Sequence, residues 1–167
     1  MDKKNAPLVS VVMGSDSDLP IMQETLNILD AFGIPNELYL TSAHRAPGRT
    51  AAFAESAAKR GVRIIIAGAG AAAHLAGVIA SQTTLPVIGV PIEAASLGGL
   101  DALFSTVQMP GGIPVATMAI GKAGAKNAAL MAARILALSD KVLSDKLDDY
   151  IENMAKEVEI KHNNLKV

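Results

Sequence analysis

Four consecutive residues, Ser42-Ala43-His44-Arg45, set a proton carrier beside an anion clamp. An imidazole gives or takes a proton near neutral pH, and a guanidinium holds a phosphate or carboxylate through two parallel hydrogen bonds. The four follow an apolar run, Leu38-Tyr39-Leu40, and precede a helical stretch that opens on Pro47. Proline suits a first helical turn, where its missing N–H is not needed. The pair thus falls where a strand hands over to a helix, the edge at which open α/β sheets bind ligands. A loop whose side chains bond only to each other would look the same, because a short motif is a weak signal alone.

A second stretch, Gly14-Ser15-Asp16-Ser17-Asp18, lies at another strand-to-helix junction. Free N–H groups and the helix dipole attract anions there, and Ser15 and Ser17 add hydroxyl donors. Two aspartates argue against a bare polyphosphate. A single phosphate with a ribose nearby fits better, Asp18 accepting from the ribose hydroxyls. A plain helix cap accounts for the same residues. The third stretch, Gly68 to His74, is rich in Gly and Ala and offers a flat wall to a planar ring. It has neither the dinucleotide-binding glycine spacing nor a Gly-Lys-Ser/Thr phosphate loop. His74 reads as a structural core histidine, and His44, with Arg45 next to it, as the better catalyst.

Other chemistries find little support. There is no Cys, and the three histidines, 44, 74 and 162, show no His-x-x-x-His spacing, so a metal site is not expected. Gly-x-Ser-x-Gly is absent, against a serine hydrolase. Lys122 could form a Schiff base but reads as an exposed loop lysine. A net charge of −1 gives no footprint for nucleic acid or an anionic membrane. No apolar run reaches the ~18 residues of a membrane span, and no signal peptide is seen at the N-terminus. A soluble cytoplasmic protein is expected.

The elements that must position these residues are legible in outline. The 167 residues suit one domain, and at 50% hydrophobic but 3% aromatic the core must be aliphatic. Strands are expected over 8–13, 36–40, 63–67, 86–90 and 114–120, with Pro91 stopping the fourth. Helices are expected over 19–32, 47–60, 71–82 and 125–138, with a loop and short helix over 94–106. The helix over 125–138 is apolar almost all round, which suggests burial on more than one side and subunit contact. A last helix runs from 139 or 140 to about 160, with a stripe of Leu147, Ile151, Met154 and Val158 and a polar, frayed tail beyond. Alternating strands and helices argue for a parallel sheet covered on both faces. Right-handed crossovers then bring the three loops to one rim.

Taken together, the stretches 14–18, 42–47, 67–75 and Val107-Gln108-Met109-Pro110-Gly111-Gly112-Ile113-Pro114 resemble class I N5-carboxyaminoimidazole ribonucleotide mutase, in the phosphoribosylaminoimidazole carboxylase catalytic subunit family. The resemblance runs from about residue 9 to 138, with Ala76 standing where the family usually has Pro. It implies a three-layer α/β/α flavodoxin-like fold with a central parallel sheet. It implies one domain over 1–167, with a core of about 8–138 and a C-terminal helix of about 139–160 packing on a neighbouring subunit of a homo-octamer. The implied reaction moves a carboxylate from the exocyclic nitrogen to carbon 4 of an aminoimidazole ribonucleotide, through transient carbon dioxide and without a cofactor. His44 would be the general acid and base. Ser15 and Arg45, with Ser42 close by, would hold the phosphate, and Asp18 the ribose. Gly70 and His74 complete the expected binding set, in a loop that would close over the base. Two alternatives stay open: direct carboxylation of aminoimidazole ribonucleotide, the class II activity, and a non-catalytic flavodoxin-like module for a nucleotide or flavin.

Overall fold

The computed structural model describes residues 6–94 and 96–165. The expected loop over 94–106 and the expected polar tail each extend partly outside them, at position 95 and at 166–167. Five parallel strands form one sheet in the order β2-β1-β3-β4-β5. They are β1 (Val9–Met13), β2 (Asn36–Leu40), β3 (Ile64–Gly70), β4 (Val87–Ile92) and β5 (Ala116–Thr117). The helices α1 (Leu19–Phe32), α2 (Pro47–Ala57), α3 (Leu75–Ala80), α4 (Leu100–Val107), α5 (Gly121–Ala137) and α6 (Lys141–Asn164) follow in chain order, and the sheet carries helices on both faces. This is the flavodoxin-like strand order, with its switch point between β1 and β3.

β1 is buried along its whole length, as a central parallel strand must be. Its one polar residue, Ser10, is fully buried and donates to Glu37 on β2. α1 buries Met22, Thr25, Leu29 and Phe32, a stripe at helical spacing. The Thr25 hydroxyl is satisfied by the carbonyl of Ala125, 2.9 Å away. Gly33 ends α1 in the left-handed region, φ 72°.

Several expectations are corrected, the fifth strand among them: expected over 114–120, it is only Ala116–Thr117. Gly68 to Gly70 is strand, not loop: β3 continues beside β4 as far as the pair Gly70–Ile92. β4 does not stop at Pro91. Gly89 accepts from Met118 on the β5 side, so position 91, two residues on, faces the same side after β5 has ended. The missing N–H of Pro91 thus lies along an unpaired stretch and costs the ladder nothing. The third helix is also shorter than expected, only Leu75–Ala80.

By its contacts the chain falls into two compact units, one up to Ala132 and one from Ala133, the division lying inside α5. Within the first unit α5 buries Ala125, Ala128, Ala129 and Ala132. Within the single chain these form one stripe of small side chains, and Met131, off that stripe, is exposed. On α6, Leu143 and Leu147 are buried while Ile151, Met154 and Val158 are exposed. The helix is capped by Asp140, whose carboxylate accepts from the Leu143 N–H at 3.1 Å, and it continues through Asn164, four residues beyond its expected end.

Candidate active site

Each of the three strand-end loops is fixed by its own backbone chemistry. In the loop after β2, the carbonyl of Ser42 accepts from the Ala46 N–H at 2.9 Å, and its hydroxyl from the Arg45 N–H at 3.2 Å. The hydroxyls of Thr41 and Thr50 lie 2.9 Å apart and are buried, which ties the loop to the first turn of α2. The exposed side chains of His44 and Arg45 are therefore carried on a closed turn.

After β1, Ser15 and Asp18 form a reciprocal cap over the 3-10 turn Asp16–Asp18. The Ser15 N–H donates to the Asp18 carboxylate at 3.0 Å. The capping reading of this stretch is thus correct, and it leaves the ligand reading intact, because Asp18 also faces the cavity. Asp18 is 5% exposed. Burial pushes its carboxyl above the ordinary value, outweighing the N–H groups of Ser15 and Gly14 that pull it down; Asp16 raises it further and Arg45 lowers it.

After β3 the chain turns through Ala71, the one non-glycine residue with positive φ (51°) among those described. Two tight turns follow, Ala73 N–H to Ala71 O and His74 N–H to Ala72 O, each 2.8 Å. They deliver His74 to the rim, exposed. It is not a core histidine. Its Nδ1 lies 2.8 Å from Nε2 of His44, with the rings edge to face at 88°.

The three loops enclose a cavity of about 310 Å³. All seven residues singled out in the sequence line it: Ser15, Asp18, Ser42, His44, Arg45, Gly70 and His74. Arg45 bridges two loops, its Nη2 donating to the Gly14 carbonyl at 3.1 Å and its Nε to the Ser42 hydroxyl at 3.5 Å. Donors for an anion, a buried carboxylate and an imidazole pair therefore line one cavity. Sequence reasoning missed Ala94, which closes the cavity beside Gly70, and the contact between the two histidines. Only the position of His74 on a rim loop hinted at the latter. Lys122 lies on α5, 3.7 Å from Glu24, and is not among the residues lining the cavity. A larger cavity of about 930 Å³ opens where β4 begins, lined chiefly by residues 80–87 and 112–114; its one titratable side chain is Glu55.

The family described as AIR carboxylase matches residues 8–157. An N5-carboxyaminoimidazole ribonucleotide mutase from Pyrococcus horikoshii is 55% identical over 159 residues, which is 95% of this chain and 89% of that protein. A phosphoribosylaminoimidazole carboxylase from Candida albicans is 53% identical over 155 residues, 93% of this chain but 27% of that protein. The crystal structure of Treponema denticola PurE matches with a TM-score of 0.85 at 31% identity, over 96% of this chain and 99% of that one.

Proposed function

The chain belongs to the AIR carboxylase family, and from that premise we propose that it is an N5-carboxyaminoimidazole ribonucleotide mutase of purine biosynthesis. The observation that carries this reading is the placement of His44 in one cavity with Arg45 and Asp18. An imidazole, an anion clamp and a buried carboxylate are the three groups that a proton-shuttling ribonucleotide enzyme needs. Arg45, Ser15 and Ser42 hold the phosphate, and Asp18 accepts from the ribose hydroxyls. Gly70 offers bare backbone to the ring, and His74 steadies His44.

The protonated His44 gives its proton to the exocyclic nitrogen as the bond from that nitrogen to the carboxylate carbon breaks and carbon dioxide leaves. The electron-rich carbon 4 attacks the trapped carbon dioxide. Neutral His44 then removes the proton from carbon 4, which restores the aromatic ring and its own charge. One proton is lent and returned, no electrons are exchanged, and the sum is an isomerisation. The steps balance without ATP, metal or an organic cofactor. General acid–base help of this kind is worth about 100- to 10,000-fold.

We also hold the enzyme to be a cytoplasmic homo-octamer with 8–138 as its core. The number eight rests on family resemblance. The exposed apolar side chains Leu100, Phe104 and Val107 on α4 and Ile151, Met154 and Val158 on α6 support subunit packing. Among the described residues no helix is long and apolar enough to cross a membrane.

The second reading is direct carboxylation of aminoimidazole ribonucleotide, favoured by the Candida relative's name. The mutase reading ranks first because the match spans nearly the whole Pyrococcus protein and about a quarter of the Candida one. Rates with the carbamate substrate and with aminoimidazole ribonucleotide plus bicarbonate decide between them. Turnover confined to the second pair would overturn the mutase reading. The variant His44→Asn should bind the ribonucleotide and lose turnover by at least about 100-fold; unchanged turnover would remove His44 from the chemistry.

A further inference from the structure

A recess of about 380 Å³ lies beside Arg45, and the proposed mechanism gives no role to Arg49 on its lining. It shares Gly14, Ser15, Ser42 and Arg45 with the catalytic cavity. His44 and Asp18 line only the cavity, and Arg49 lines only the recess. Arg45 therefore stands on the boundary, with a second cation beyond it.

Arg49 is anchored without being neutralised. Its guanidinium carbon lies 4.9 Å from the centre of the Tyr39 ring. Tyr39 is stacked on Phe53 at 4.5 Å and 25°, and Arg60 covers Phe53 at 5.0 Å. Phe53 is 3% exposed, so this stack is rooted in the core. Arg49 makes no ion pair with any described residue. The recess holds one carboxylate, Asp16, which accepts from the Ser15 hydroxyl at 3.2 Å and the Ser17 N–H at 3.1 Å. Two guanidiniums against one hydrogen-bonded carboxylate leave the recess positive.

We propose that Arg49 is a specificity residue, the second cation on the ligand's phosphate, selecting a 5′-phosphorylated ribose over the free nucleoside. A phosphate monoester carries close to two negative charges at neutral pH. Arg45 alone answers one of them, and Arg49, held out on an aromatic platform, answers the other. The proposal rests on the ribonucleotide reading above, with Arg45 at the phosphate.

Calorimetric binding of ribose 5-phosphate and of ribose tests it without any turnover. The parent should bind ribose 5-phosphate at least tenfold more tightly than ribose. Arg49→Ala should weaken ribose 5-phosphate about tenfold and leave ribose unchanged, and Arg49→Lys should recover most of the loss. Tyr39→Leu, which removes the platform and keeps the charge, should fall between. Ribose 5-phosphate binding by Arg49→Ala within twofold of the parent overturns the proposal, as does an equal loss of ribose. A parent that binds ribose 5-phosphate but turns over no carbamate substrate overturns the mutase reading instead and leaves the phosphate result standing.

Discussion

Nε2 of His44 and Nδ1 of His74 lie 2.8 Å apart although 30 residues separate them in the chain. Such a bond requires one N–H and one lone pair, so the protonation of either ring constrains the other. With Nε2 occupied by His74, the second nitrogen of His44 is the one left to face a ligand. One protonated ring beside a neutral one keeps the bond, whereas protonating both rings would turn both facing nitrogens into donors and break it. On the proposed mutase reading, His74 positions His44 through this ring contact and does not touch the substrate's reacting atoms.

Loss of His74 should lower kcat by about tenfold with KM nearly unchanged, since an unsteadied base still works part of the time. Groups that act as a unit are strongly non-additive. The double variant His44→Asn/His74→Asn should therefore be no slower than His44→Asn alone. Steady-state kinetics on the four proteins check this. Multiplying losses would mean that the two histidines act independently.

Much of this was legible in the sequence, for physical reasons that also mark where it stopped. Buried parallel strands are apolar runs, so β1 and the body of β4 stood out. The errors came from residues whose usual message is a break. Gly68 ends no strand; a Cβ there would lie 2.3 Å from Sδ of Met22, so its bareness serves close packing of α1 on β3. Pro91 sits on a locally unpaired edge. Loop motifs near one another on the rim could be read one at a time. The meeting of His44 with His74 could not, because it depends on a left-handed turn at Ala71, and alanine does not advertise one.

Asp18 should make the protein less stable at neutral pH than it need be. Its carboxyl is raised above the ordinary 3.8, chiefly by burial, so folding penalises the ionised form. The sign follows: the stability linked to this group is fully present below the ordinary value and is lost as pH rises through the raised one. Asp18→Asn keeps an acceptor for the Ser15 N–H and removes the buried charge. It should raise Tm at pH 7, with the gain shrinking towards zero as the pH approaches 3.8, while ribonucleotide binding weakens. Thermal melts of both proteins across that range are the check, and a lower Tm for the variant at pH 7 would contradict the assignment.

Gly70 is closed to any side chain. A Cβ there would lie 2.3 Å from Cβ of Ala94 and 3.0 Å from the Ile92 carbonyl. Gly70→Ala should destabilise by about 1–3 kcal/mol, the usual range for overpacking, and should narrow the cavity that both residues line. Adding Ala94→Gly removes the nearer contact and should return part of the lost stability. Urea denaturation of the single and double variants measures both. A neutral Gly70→Ala would mean that the segment after β4 gives way freely.

Ala71 pays for the rim turn with its backbone. Its φ of 51° is a left-handed conformation, which costs an L-residue roughly 1–2 kcal/mol. Glycine takes that conformation without strain but starts from a freer unfolded chain, which offsets part of the gain. Ala71→Gly should still be stabilising, by about 1 kcal/mol, or about 2–4 °C in Tm for a chain of this size. The same change loosens the segment that delivers His74, so kcat should fall by a few-fold while Tm rises. Opposite movement of the two quantities is the diagnostic result. A fall in both would place the strain of this loop elsewhere than at Ala71.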